Sequence, residues 1–166
     1  MIIFDIDGVL TPKTQSANIN LVLTEKEKKD KIANAPAATD GFHMLTNFLW
    51  AFVELFHCKT IADSPVWSQV AFLTGRKKAE YYDATKRLFL THYDNYTTQM
   101  ALDMVVWYPE QFGYDKETYF TWKIQELQKF DGPVTYVDDD AELVTRINAL
   151  NLPNIRATHY EAKGGF

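Results

Sequence analysis

Three short buried-strand patterns in this chain stop abruptly at carboxylates or hydroxyls. Ile2-Ile3-Phe4 runs into Asp5 and Asp7, Val70-Ala71-Phe72-Leu73 into Thr74-Gly75-Arg76, and Val134-Thr135-Tyr136-Val137 into Asp138-Asp139-Asp140. Runs with no regular polar face read as strands covered on both sides. Met104–Tyr108, closed by Pro109, reads as a further strand between the last two, and Ile155–Ala157 as a short fifth. Helix-patterned stretches separate them. Such alternation implies an α/β fold: a three-layer, Rossmann-like parallel sheet of about five strands, with right-handed crossovers and helices on both faces.

The intervening helices follow from apolar spacing and capping residues. Asp40 is placed as the cap of a helix over 40–56, with Phe42, Leu45, Leu49, Phe52 and Phe56 as its stripe. A helix over about 78–92 turns Tyr81, Leu88 and Phe89 inward. One capped near Asp115 carries Phe120, Ile124, Leu127 and Phe130, and Asp140 caps the helix of Leu143, Val144 and Ile147. Residues 12–38 are polar, with a charge run from Glu25 to Asp30, and read as a flap-like insertion, either a solvated helix or a mobile segment. The 166 residues suit a single domain.

In a parallel sheet the strand ends share one edge, where ligands bind in the crevice. Asp5 and Asp7, two positions apart, project to the same side of an extended backbone, and Gly8 lets the chain turn. Like charges at a buried strand end repel, so the pair calls for a cation or a shared proton. Together with Asp138 and Asp139 they form a hard, oxygen-rich set suited to Mg²⁺. Thr74 offers a hydroxyl, and the amides after Asp5 and Thr74 can meet an anion. Lys123 and Lys116 are the candidates for a fixed positive charge.

Asp-Ile-Asp-Gly-Val-Leu-Thr, Phe-Leu-Thr-Gly-Arg, a helical lysine and Tyr-Val-Asp-Asp, in that order, resemble the four motifs of the haloacid dehalogenase-like phosphatase superfamily. The resemblance covers residues 2 to about 157. It implies that Asp5 is the nucleophile forming an aspartyl phosphate, and that Asp7 is the acid and base for leaving group and water. Thr74 would bind phosphoryl oxygens, with Gly75 and Arg76 beside the substrate. Arg76 has two readings: a bidentate phosphate ligand, or the partner of a nearby acid. The lysine would stabilise Asp5 and developing charge; Trp122-Lys123-Ile124-x-x-Leu127 favours Lys123, with Lys116 kept open. Mg²⁺ would be held by Asp5, the Asp7 carbonyl and a motif-four aspartate, Asp139 before Asp138.

The insertion at 12–38 is too small for a typical helical cap, so the resemblance implies a capless site that is open or closed by a neighbouring subunit. Openness favours a large phosphorylated substrate. Thr74-Gly75-Arg76 before a tyrosine-rich helix, with the Asp138-Asp139 doublet, is similar to the 3′-phosphatase domain of phage polynucleotide kinases. On that reading Arg76, Lys77, Lys78, Lys86 and Arg87 form a basic strip, and Tyr81 and Tyr82 offer stacking surfaces for a nucleic-acid end. A nucleotide or other small ester is the alternative substrate. The net charge of −5 argues against broad nucleic-acid binding. A non-catalytic phosphate- or metal-binding regulatory protein is the competing function; Asp7 speaks against it, because receiver-like domains lack that acid. Neither a signal peptide nor a membrane span is expected, and the lone Cys58 fits a reducing cytoplasm.

Overall fold

Five parallel strands form one sheet in the order β3-β2-β1-β4-β5. They are β1 (Ile2–Phe4), β2 (Val70–Leu73), β3 (Val105–Val106), β4 (Val134–Asp138) and β5 (Ile155–His159). The computed structural model describes residues 1–13 and 24–164. Positions 14–23 of the insertion, and the last two residues of the Gly164-Gly165-Phe166 tail, lie outside the described residues. Six α-helices are described: α1 (Glu25–Ala33), α2 (Thr39–Leu55), α3 (Lys78–Leu90), α4 (Asn95–Asp103), α5 (Lys116–Leu127) and α6 (Ala141–Ala149). No helix among the described residues is long and apolar enough to cross a membrane.

Strand alternation builds the two cores. Phe4, Phe72 and Val137 face one side with Phe42 and Leu49 of α2 and Phe89 of α3. Their neighbours Ile3, Ala71 and Tyr136 face the other with Phe120 of α5 and Leu143 of α6. A side chain in the central strands is therefore enclosed whichever way it points, which is why these segments lack an apolar–polar alternation. The chain moves from β1 outward to β2 and β3, then returns to β4 on the opposite flank of β1. That reversal opens a crevice at the carboxyl ends of β1 and β4.

Several elements differ from the sequence expectation. The third strand is two residues long rather than five: it sits at the sheet edge with Val105 and Val106 in register with Phe72 and Leu73 of β2, and beyond them only the Thr74 amide on Val106 O and the Tyr108 amide on Arg76 O continue the contact. Residues 93–103, to which the sequence reading assigns nothing, contain α4, capped by Asp94 accepting from the Thr97 amide at 2.8 Å. Its buried face includes Thr97 and Thr98, so hydrophobic spacing alone does not reveal it. The stripe of α2 runs Phe42, Leu45, Leu49, Val53, leaving Phe52 on the flank and Phe56 exposed past the last turn. Asp40 lies inside the first turn and does not cap it. Its carboxylate instead accepts from Tyr160 Oη at 2.6 Å and the Lys163 amide at 3.0 Å, tying down the chain after β5. The charge run of the insertion is the helix α1, closed by a reciprocal Thr24–Glu27 capping box.

Candidate functional site

The strands deliver their polar residues at one level of the sheet. Phe4 pairs with Phe72 and with Val137, so Asp5 emerges beside Asp138, and its amide reaches Val137 O at 2.8 Å. Ile6 is fully buried between the two aspartates, and its amide donates to Asp5 Oδ1 at 2.9 Å. The amides of Leu10 and Thr11 then close on Ile6 O at 2.8 and 3.2 Å, forming a tight turn. Gly8 enters that turn at φ +82°, where a Cβ would stand 2.2 Å from Asp139 Oδ2. Only glycine combines this backbone with so close an approach.

Lys123 reaches the same edge from α5 and is completely buried. Its Nζ donates to Tyr136 Oη and Asp138 Oδ2, each at 2.8 Å, and lies 3.3 Å from Asp5 Oδ1. Lys116, the other candidate, is exposed and paired with Glu142 at 2.8 Å. Burial opposes the Lys123 charge, but Asp138 and Asp5 outweigh it and hold the ammonium well above the usual lysine range. Burial likewise pushes Asp138 up, yet Lys123, the Tyr136 hydroxyl at 2.5 Å and the Asp140 amide at 2.8 Å prevail and keep it ionised below the usual range. Asp5 is raised, first by burial, with Lys123 offsetting only part of that and Asp138 and Asp139 adding repulsion. Asp139 is pushed up to about 7, by burial and then by the Asp138 charge.

One carboxylate oxygen each from Asp5, Asp138 and Asp139 lies within 4.8 Å of the others. Three carboxylates around one ammonium leave an excess of negative charge that a divalent cation neutralises, and all-oxygen donors suit Mg²⁺. The residues present therefore fit the ion expected from the sequence. Asp138 is already occupied by three donors, so Asp139, facing the bare Cα of Gly8, is the less committed of the pair. The Asp7 carboxylate is not in the cluster.

Asp7 turns instead to Arg76. Nε donates to Asp7 Oδ2 at 2.9 Å and Nη2 to Oδ1 at 2.8 Å. Arg76 Nη1 donates to Thr85 Oγ1 at 3.0 Å, which braces the guanidinium from behind. Of its two sequence readings, the structure shows the acid partner: a guanidinium that is 3% exposed needs an anion, and Nη2 also donates to Ile32 O at 3.4 Å, so four hydrogen bonds engage it. Thr74 is fully buried, with Oγ1 accepting from the Arg76 amide at 3.1 Å. Gly75 carries the ring of Tyr119, whose Cε2 would be 2.9 Å from an added Cβ.

Two hollows meet here, sharing Asp7 and Tyr119. One, of about 500 Å³, holds the acidic cluster and Lys13. The other, of about 310 Å³, lies between α1 and the sheet edge, with Ile32 on one wall and Tyr81 and Tyr114 on the other. The sequence reading did not include Tyr136, Tyr119 or Tyr114. Tyr136 was findable, since it stands two residues before Asp138 on the same side of a strand; the other two converge only through packing. Of the expected basic strip, Lys77 donates to the carbonyls of Glu110 and Phe112 at 2.9 and 2.7 Å, and Lys78 lies over the Tyr82 ring at 5.6 Å. Tyr82 packs on Trp107, so Tyr81 alone of that pair faces a hollow. No protein-family model matches this chain, and neither a curated protein nor a solved structure is detectably similar to it.

Proposed function

We propose that this chain is a Mg²⁺-dependent phosphomonoester hydrolase of the haloacid dehalogenase type, working through an aspartyl phosphate on Asp5. One observation carries the reading: a fully buried ammonium, Lys123, set 3.3 Å from Asp5 and 2.8 Å from Asp138 at a strand-end crevice. Purely structural needs rarely place an ion pair there, whereas a reaction that gathers negative charge on a phosphoryl group requires one.

Asp5 Oδ1 is engaged by the Ile6 amide and Lys123, which leaves Oδ2 to attack phosphorus. The bond from phosphorus to the alcohol oxygen breaks, and Asp7 gives its proton to the departing alkoxide. Asp7, now a carboxylate, takes a proton from water as the water oxygen attacks the aspartyl phosphate. Inorganic phosphate leaves and the Asp5 carboxylate is restored. Lys123 balances charge on Asp5 throughout, and Thr74 steadies phosphoryl oxygens. Asp5, Asp139 and Asp138, with the Asp7 carbonyl, would hold Mg²⁺, which supplies Lewis-acid neutralisation of the phosphoryl oxygens. Asp7 has to leave Arg76 before it can carry a proton.

That last requirement favours one competing reading, a phosphate- or metal-binding regulatory protein in which Arg76 keeps Asp7 out of the chemistry. Phosphate release from p-nitrophenyl phosphate, nucleotides, sugar phosphates and a 3′-phosphorylated oligonucleotide, with Mg²⁺ or EDTA, separates the two. Release that needs Mg²⁺ and disappears in Asp5→Asn is expected. Turnover retained by a folded Asp5→Asn overturns the mechanism, and Mg²⁺-dependent phosphate binding without release selects the regulatory protein.

A further inference from the structure

We propose that the hollow beneath α1 is a nucleoside subsite, making the substrate a nucleoside monophosphate rather than a nucleic-acid end. The inference rests on the phosphatase reading and adds the identity of the leaving group. Asp7 lines both hollows, so the ester oxygen it would protonate lies where they join. With the phosphoryl group beside Asp5 in the acidic hollow, the alcohol portion has to extend into the other one.

The second hollow has the chemistry of a slot for a flat ring. One wall carries tyrosines: Tyr81, Tyr119 and Tyr114, the last held by its hydroxyl on Gly75 O at 2.9 Å and by stacking on Tyr108 at 5.1 Å. From α1 the lining is Ile32 with Lys28, Lys29 and Glu25. Rings facing an aliphatic surface suit a planar base, for which aromatic stacking is tolerant of base identity. A sugar phosphate, hydroxylated all round, gains little from such walls. About 310 Å³ is near the lower limit for small-molecule pockets and suits a single nucleoside.

Charge at the described rim disfavours the longer substrates. A polynucleotide or a nucleoside polyphosphate presents further phosphates and requires unspent cations along its path. At this rim Lys28 is paired with Glu25 at 3.0 Å and Lys29 with Glu80 at 3.4 Å. Beside it Lys77 donates to two backbone carbonyls.

The test uses the full chain in two assays. The first compares kcat/KM with Mg²⁺ for nucleoside 5′- and 3′-monophosphates, glycerol phosphate and a 3′-phosphorylated oligonucleotide. The second measures nucleoside monophosphate binding to Asp5→Asn by calorimetry. Tyr114→Ala and Ile32→Asp alter the two opposite walls. The expected result is a preference for mononucleotides that falls about tenfold or more, relative to glycerol phosphate, in each variant, with a parallel loss of binding. Hydrolysis of glycerol phosphate or of the oligonucleotide that equals or exceeds that of mononucleotides overturns the subsite and leaves the phosphatase standing. Nucleotide binding that Tyr114→Ala and Ile32→Asp weaken, with no hydrolysis of any ester, keeps the subsite and removes the phosphatase. Binding that both folded variants retain overturns the subsite whatever the activity.

Discussion

Arg76 grips the carboxylate of Asp7 through two parallel hydrogen bonds, 2.9 Å from Nε and 2.8 Å from Nη2, and so binds the residue proposed to move protons. The pair joins the end of β2 to the loop after β1, and Thr85 of α3 anchors it. On the proposed mechanism this pair is a resting state: Arg76 holds Asp7 at the crevice, and its grip has to be exchanged for the ester.

The exchange has a kinetic signature. Replacing Asp7 by Asn removes the proton donor, which is worth about 10²–10⁴-fold for general acid catalysis. In kcat/KM, which reads the step that releases the alcohol rather than the later hydrolysis of the aspartyl phosphate, the loss should be large for alkyl phosphates, whose alkoxides leave poorly without a proton. It should be much smaller for p-nitrophenyl phosphate, whose leaving group needs none. Equal losses on both substrates, in a folded Asp7→Asn protein, would remove Asp7 from the acid role.

Lys123 should matter to stability as well as to rate. Removing one member of a buried ion pair typically costs about 3–5 kcal/mol, and Lys123→Met leaves Asp5 and Asp138 facing each other without their cation. Denaturant unfolding without Mg²⁺ should show a loss of that order, part of which saturating Mg²⁺ restores. An unchanged midpoint would mean that the lysine is not the partner of these aspartates.

Gly8 sets the distance between the turn and Asp139. Ala at this position would strain a positive φ, by about 1–2 kcal/mol, and would drive its Cβ into a carboxylate 2.2 Å away. Gly8→Ala should fold but bind Mg²⁺ at least about tenfold more weakly, a loss of about 1.4 kcal/mol. Calorimetry that finds unchanged affinity would put the metal elsewhere.

The pH dependence follows from Asp139. Its carboxyl, pushed up to about 7 in the metal-free protein, binds a proton more tightly when folded than when unfolded. Its contribution to metal-free stability is therefore fully present below the ordinary aspartate range and is lost as pH rises through about 7. A cation needs the deprotonated form, so Mg²⁺ affinity should climb about tenfold per pH unit below 7 and level off above it. Thermal melts with and without Mg²⁺ should diverge steadily from pH 5.5 to 7.5. A constant Mg²⁺ shift across that range would exclude Asp139 as the titrating ligand.

The layers, and the polar residues that stand at the strand ends, follow from the sequence. Unbroken buried runs before Asp5, Thr74 and Asp138 declare strands covered on both faces, and in a parallel sheet their ends necessarily meet. The helix between the third and fourth strands offered both Lys116 and Lys123, and only the motif resemblance favoured Lys123, the one that packing buries. Local pattern could not resolve what depends on contacts between distant segments. The pairing of Asp7 with Arg76 spans 69 positions, and a guanidinium chooses between substrate and protein anion only once burial has removed water. The helix α4 hides its buried threonines behind a polar composition, and α1 looks like any solvated charge run until it is seen to roof a hollow. Tertiary structure decided those points, because enclosure, unlike periodicity, is a property of the whole packed chain.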